Sequence, residues 1–356
     1  LLITWSNPFT RLIPAPQDGL GLNPVLRHPG MILHPPLLLL GYAGLILPAC
    51  LAAAQSFVPR KGSEYQWIML TRPYTLTAWL LLTAGIILGA WWSYMELGWG
   101  GYWAWDPVEN ASLIPWLLAT AFLHTALLER NRQILSRANV LLAGLAFSAT
   151  LIATWLTRGG AVASLHSFGQ SPVSVPLFLA VLISLALVIA AAAAARPVRQ
   201  VGHPATPRAM PAPLTRDGLI CLGVWLLLAL AAVILAATLA PAVSGLWSAQ
   251  PVGLTPAFYN RVCLPLFIAL AAILFAAFLR EPQGPFPWVR AALWLVVIGL
   301  PLALLLGPAR PLSALAFLFS LAFAALGFTC LPRIWSAKAR CHLNPAAYAL
   351  HRGFAV

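Results

Sequence analysis

Nine long apolar runs, each separated from the next by a short polar stretch, set the pattern of this chain: about 34–56, 74–92, 107–128, 138–157, 173–195, 218–240, 262–279, 291–306 and 312–331. A helix needs about 20 apolar residues to cross a bilayer. The pattern therefore predicts an all-α, polytopic integral membrane helical bundle with nine complete transmembrane helices. A tenth, from about residue 345, is cut short, so the chain is expected to be a piece of a longer protein. Residues 1–33 are mixed in polarity and rich in Pro and Gly, and are expected to form a periplasmic leading segment. His34-Pro35-Pro36 is expected to open the first helix, because proline is tolerated in a first turn. Residues 34–195 then make one helical bundle, 196–216 a cytoplasmic Pro- and Arg-rich linker, and 217–356 a second bundle.

One stretch departs from that pattern. Residues 91–116, WWSYMELGWGGYWAWDPVENASLIPW, place six tryptophans, two tyrosines and three carboxylates between two apolar runs. A membrane-interface aromatic belt supplies about one or two such rings per helix end, since amphipathic rings suit the headgroup layer. The greater density here predicts a platform for a flat aromatic ligand. Asp106-Pro107-Val108-Glu109 has the spacing of an N-cap, a proline at the first helical position and a capping-box glutamate, so the third helix is expected to begin there.

Composition agrees with the pattern. Hydrophobic residues make up 61% of 356, charged residues 8%, and the mean hydropathy is +0.85, which excludes an ordinary soluble domain. A net charge of +13 suggests nucleic acid at first sight, but the basic residues are scattered through short loops and form no dense cluster. Membrane topology explains them better. With the tryptophan loop outside, the inner loops hold Arg60, Lys61, Arg72, Arg130, Arg132, Arg137 and the basic residues of later loops. The outer loops hold only Arg158, Arg261 and Arg310, plus Arg11 and Arg27 in the leading segment. Cytoplasmic loops carry the Lys/Arg excess, so the loop is expected to face the periplasm of a multi-pass inner-membrane protein. The five cysteines form no CxxC pair and imply no disulfide framework or thiol redox centre.

Histidines are scarce polar groups here, so their depth is informative. His34 and His166 both fall at the outer level, bracketing the aromatic loop. Such a pair suits axial ligation of a haem iron from two faces; the plain alternative is that each caps a helix end or hydrogen-bonds in a wet loop. His124 and His351 lie at similar depth near the inner side, about 6 Å and 9 Å in at 1.5 Å per residue. They form either a bis-histidine site for an embedded b-type haem or simple helix–helix hydrogen bonds. His28, six residues before His34, is a candidate substitute ligand or a surface residue, and His203 and His342 fall in solvated inner loops. Asp106 and Glu109 are first of all caps. Arg158 is placed either to meet an anionic group such as a haem propionate or to snorkel.

Trp99-Gly100-Gly101-Tyr102-Trp103-Ala104-Trp105-Asp106-Pro107-Val108-Glu109-Asn110 resembles the tryptophan-rich WWD signature of haem-handling proteins. His34-Pro35-Pro36-Leu37-Leu38 with Gly41-Tyr42, and Leu156-Thr157-Arg158-Gly159-Gly160 through His166-Ser167-Phe168, resemble one branch of that superfamily: the CcmF/NrfE family of cytochrome c-type biogenesis proteins. The resemblance implies a haem lyase, a holocytochrome c synthase working within a complex, that adds the two thiols of an apocytochrome c CxxCH motif across the haem vinyls. It implies haem ligation by His34 and His166 outside, with Trp99, Trp103, Trp105, Asp106 and Arg158 around the transferred haem. It also implies an embedded haem b between His124 and His351. The implied partners are the haem chaperone CcmE, a CcmH-type thiol-handling subunit, apocytochrome c, a quinol donor and the lipid bilayer, with no nucleic acid. A haem exporter or chaperone-loading protein like CcmC or CcsA would share the loop, but not the number of spans or the sequence around His34 and His166. A secondary transporter is expected to show repeats and broken midplane segments, and this chain has no convincing internal repeat.

Overall fold

The computed structural model describes residues 11, 13–19, 21–58, 67–98, 101–132, 134–160, 162, 164, 173–195 and 209–279. Among these the regular structure is all-helical. A 3-10 turn at Pro24–Arg27 is followed by α1 (Gly30–Gly44), α2 (Ile46–Phe57), α3 (Trp67–Glu96), α4 (Pro107–Arg132), α5 (Ser136–Arg158), α6 (Ser174–Ala194), α7 (Arg216–Ser244) and α8 (Pro256–Leu279). Helices α1 and α2 follow each other across Leu45 and form one span, and each later helix forms another, giving seven spans by length and composition among the described residues. They coincide with the first seven apolar runs of the sequence. The runs at 291–306 and 312–331, and the truncated helix from 345, lie outside the described residues.

Several boundaries differ from the sequence expectation, each for a local reason. The first helix opens at Gly30, not at His34. A turn at His28-Pro29 starts it, with Met31 N donating to His28 O at 2.9 Å and Ile32 N to Pro29 O at 3.0 Å. Pro35 and Pro36 therefore sit inside the helix, where they remove two backbone donors. Arg72, expected in a loop, lies inside α3, because the buried face of that helix runs back to Trp67, Ile68 and Thr71. Burial there outweighs the proline at position 73. Arg261 likewise belongs to α8, which starts at Pro256, a residue suited to the first helical position. Helix α4 continues to Arg132, so His124 is eight residues from its end, about 12 Å at 1.5 Å per residue, twice the expected depth.

The chain divides into two compact units. The first comprises residues 1–208 with 227–259, and the second 209–226 with 260–356. In the first, α4 is the central helix: 61% of its spanning window is buried, against 22% for α6. Helices α1 and α3 meet along a glycine seam. A Cβ added to Gly41 would sit 2.8 Å from Leu82 N, one on Gly85 would sit 2.8 Å from Leu38 N, and one on Gly44 would sit 2.8 Å from Ala78 Cβ. Small residues let membrane helices pack backbone to backbone, where no hydrophobic force pushes them together. Helix α5 packs on α6 in the same way, through Gly144 against Val188 and the buried Ser148–Ser184 hydroxyl pair at 2.7 Å. Helices α4 and α5 are tied near the Arg132 end of α4, where buried Asn139 donates to Glu129 Oε2 at 2.6 Å and to Thr125 O at 3.2 Å. In the second unit, a Cβ on Gly223 of α7 would make ordinary contact with Leu270 of α8, at 3.6 Å.

Candidate functional site

The tryptophan loop is anchored at the start of α4 by the expected capping box. Asp106 Oδ2 accepts from Val108 N at 3.1 Å, and Glu109 Oε2 accepts from Asp106 N at 3.2 Å. Glu109 does more than a standard cap: the same oxygen accepts from Ala104 N at 2.9 Å, and Ser93 Oγ lies 3.5 Å from Oε1. One carboxylate thus gathers the end of α3, the loop and the start of α4. Asp106 Oδ2 also accepts from the Ser164 hydroxyl at 2.7 Å, which tethers the segment after α5 to the loop two residues before His166. Losing an N-terminal cap costs about 1–2 kcal/mol. Glu109→Ala is expected to cost at least that, seen as a lower unfolding temperature in detergent, whereas Glu96→Ala should leave it unchanged.

Trp105 holds the strained position of the loop. Its φ is 60°, the left-handed region that side chains other than glycine's rarely occupy. Such a conformation costs roughly 1–3 kcal/mol and persists only where the surroundings enforce it. Here the Trp105 ring stacks on Tyr259, with centroids 5.0 Å apart and an 8° interplanar angle, and the Trp105 carbonyl accepts from Asn110 Nδ2 at 3.1 Å. Trp103 stands nearly perpendicular to Trp105 at 6.1 Å. Trp91 and Tyr94 at the end of α3, with Tyr102 in the loop, keep exposed surface at 40%, 44% and 58%. Tyr94 and Tyr102 stack at 4.4 Å. Of the sequence-predicted tryptophans, Trp103 and Trp105 are therefore brought together, and Trp99 lies outside the described residues.

His34 projects from α1 onto the glycines of α3. Its Nδ1 lies 2.7 Å from Gly85 O, and a Cβ on Gly89 would meet the ring at 2.5 Å. A carbonyl oxygen can only accept, so Nδ1 carries the proton, and in the neutral ring Nε2 bears the lone pair. That is the tautomer of a metal-ligating histidine, whose other nitrogen donates to a carbonyl that fixes the ring. His28 is the reverse. Its Nδ1 accepts from Gly30 N at 3.0 Å, so its Nε2 carries the proton, and its ring meets the Trp91 ring at 4.5 Å with a 70° angle. The two rings therefore hold opposite tautomers.

His124 repeats the His34 pattern on α4, with Nδ1 2.8 Å from Thr120 O. Thr120 belongs to a lattice between α3 and α4 that the sequence did not reveal. Trp79 Nε1 donates to Thr120 Oγ1 and Trp116 Nε1 to Thr83 Oγ1, both at 2.8 Å, while the two indoles stack at 5.6 Å. Each described imidazole, His34 and His124, is half-buried and fixed through Nδ1, which suits one axial position of a haem at each site. Arg158 ends α5 with its side chain exposed, near Gly160, which adopts a positive φ of 65°. His166 and His351, the expected opposite ligands, lie outside the described residues.

Spanning helices, a stacked aromatic loop and two imidazoles fixed through Nδ1 describe a multi-pass membrane protein. The family model of the cytochrome C assembly proteins matches residues 1–162. Among curated proteins, the chain is 37% identical over 354 residues to the cytochrome c-type biogenesis protein ccl1 of Rhodobacter capsulatus, covering 94% of this chain and 51% of the relative. It is 39% identical over 297 residues to CcmF of Pseudomonas aeruginosa (82% and 44%), and 42% identical over 291 residues to the probable NrfE of Escherichia coli (80% and 51%). A solved structure of the cytochrome c heme lyase CcmF is similar with a TM-score of 0.61 at 33% identity, over 85% of this chain and 46% of that one. The chain belongs to the CcmF family of cytochrome c-type biogenesis proteins. It spans about half the length of the curated relatives it matches.

Proposed function

We propose that this chain is the haem-handling portion of a cytochrome c haem lyase, holding haem at an outer site between His34 and His166 while apocytochrome thiols add to it. The observation that carries the reading is the His34 Nδ1 contact with Gly85 O, which fixes the ring and puts the proton on Nδ1, the tautomer of an Nε2-ligating histidine. Each thiol adds across one vinyl group, forming a C–S bond while its hydrogen goes to the neighbouring carbon, with no net oxidation. The bond-making chemistry belongs to haem and thiol; the protein contributes ligation, orientation and exclusion of wrong geometries. The loop faces the periplasm, and the membrane is the bacterial inner membrane.

His124, with His351, would hold a resident haem b, which when bound supplies an electron from quinol to keep the transferred haem ferrous. This chain's own part there is the Thr120 carbonyl, which keeps His124 in the ligating tautomer. Haem arrives from the chaperone CcmE, and thiols from apocytochrome c through a CcmH-type subunit. A haem-stained reporter cytochrome c, in cells whose only copy of this protein is the full-length version, tests the function: maturation that persists without the protein overturns it. For the inner site, His124→Ala is expected to remove the six-coordinate b-type absorption of the detergent-purified protein. A signal surviving replacement of both His124 and His351 would exclude this ligation.

A further inference from the structure

We infer that Tyr259 is a positioning residue of the tryptophan loop, locking Trp105 through a closed circuit that runs outside the signature sequence. The inference deepens the haem-handling reading above and rests on it for the ligand. Four contacts make the circuit. The Trp105 ring stacks on Tyr259 at 5.0 Å and 8°; Tyr259 Oη lies 3.5 Å from Thr238 Oγ1; Thr238 Oγ1 accepts from Asn110 Nδ2 at 3.1 Å; and Asn110 Nδ2 donates to Trp105 O at 3.1 Å. Tyr259, Thr238 and Asn110 are 3%, 1% and 0% exposed. A buried ring, hydroxyl and amide therefore grip one residue at both its side chain and its carbonyl.

What they grip is the residue least able to hold its own conformation. Trp105 and Leu135 are the non-glycine residues with positive φ among those described. Leu135 stands at a helix N-cap, while Trp105 stands inside the loop, one residue before the cap of α4. A bulky residue in the left-handed region is maintained by its surroundings, and such positions cluster where geometry matters to function. The lock also divides the aromatic residues by role. Trp105 gives one face to Tyr259 and neighbours Trp103, so it is a keystone, and the rings with open surface, Trp91, Tyr94 and Tyr102, are left to meet a flat ligand. Tyr259 comes from α8, beyond the residues 1–162 that match the assembly family, so the loop is completed by a later part of the chain.

The test compares Tyr259→Leu, Tyr259→Phe and Thr238→Val in the full-length protein purified in detergent, with ferric protoporphyrin IX as the titrant. Near-ultraviolet circular dichroism of the haem-free protein reports the Trp105–Tyr259 stack. Tyr259→Leu is expected to lose that band and to weaken outer haem binding by about 10-fold, the lower end for a residue that orients a ligand-holding group. Tyr259→Phe keeps the stack but opens the circuit at Oη, so it is expected to keep the band and to weaken haem binding less than Tyr259→Leu does, while the embedded b-type signal stays constant throughout. Thr238→Val changes no ring, so it reports on the lock even if the leucine variant misfolds; it is expected to weaken haem binding by a smaller factor. Wild-type haem affinity in Tyr259→Leu or Thr238→Val overturns the inference, as does an unchanged dichroism band in Tyr259→Leu. A wild-type protein that takes up no haem at the loop overturns the haem-handling reading instead, and the dichroism comparison alone then decides the lock.

Discussion

His34→Ala is expected to stop cytochrome c maturation while leaving the b-type absorption proposed for the His124 site in place. The argument is electronic before it is spatial. The Gly85 carbonyl holds the Nδ1 proton, so Nε2 is the nitrogen with a lone pair to offer. Alanine removes that lone pair, and nothing at His28 replaces it: its Nδ1 accepts from Gly30 N, leaving a protonated Nε2. Loss of a ligand should exceed the 10–100-fold typical for loss of a residue that merely orients one, so holocytochrome yield should fall by more than about 100-fold. Added imidazole, small enough to occupy the vacated volume, should restore part of the outer haem spectrum. His28→Ala should mature cytochrome at close to the normal level. Normal maturation in His34→Ala would remove this residue from the site.

The second large effect is expected from a single methyl group. Gly85→Ala places a Cβ 2.8 Å from Leu38 N and 2.9 Å from Leu38 Cα, against backbone that cannot swing aside. Replacing glycine by alanine inside a helix ordinarily gains about 1 kcal/mol, but overpacking costs about 1–3 kcal/mol and here also forces α1 away from α3. The clash wins. Gly85→Ala should lower the unfolding temperature in detergent and weaken outer haem binding, since the carbonyl that orients His34 moves with it. Gly223→Ala is the internal control: its Cβ would meet Leu270 at an ordinary 3.6 Å, so helix propensity wins and stability should hold or rise. Equal behaviour of the two variants would show that the seam is not tightly packed.

These two sites also show what was legible in the sequence. The seven described spans could be read because membrane helices announce themselves by length and hydropathy. The cap at Asp106 and Glu109 could be read because its partners lie within three residues of each other. His34 and His124 stood out because histidine is rare in such a chain. Gly44 and Gly85 did not, since each is one glycine among 25, and only the approach of a second helix gives it meaning. Tyr259 lies 154 positions beyond Trp105 and carries no local motif, so its stack is a purely tertiary fact. The start of α1 was misplaced because His34-Pro35-Pro36 looks like a helix opening, while the actual start depends on a turn made by His28 and Pro29.

Helix α3 runs unbroken for 30 residues, about 45 Å at 1.5 Å per residue, half again the roughly 30 Å hydrocarbon thickness. Its glycine seam and its aromatic end are therefore parts of one rigid screw. Each residue added or removed between Gly85 and Trp91 would turn Trp91 and Tyr94 by about 100° and shift them about 1.5 Å relative to His34. Loops elsewhere can lengthen without changing that angle. Within those few residues of α3, the length of the chain is itself the calibration that sets the angle between the glycine seam and the aromatic end.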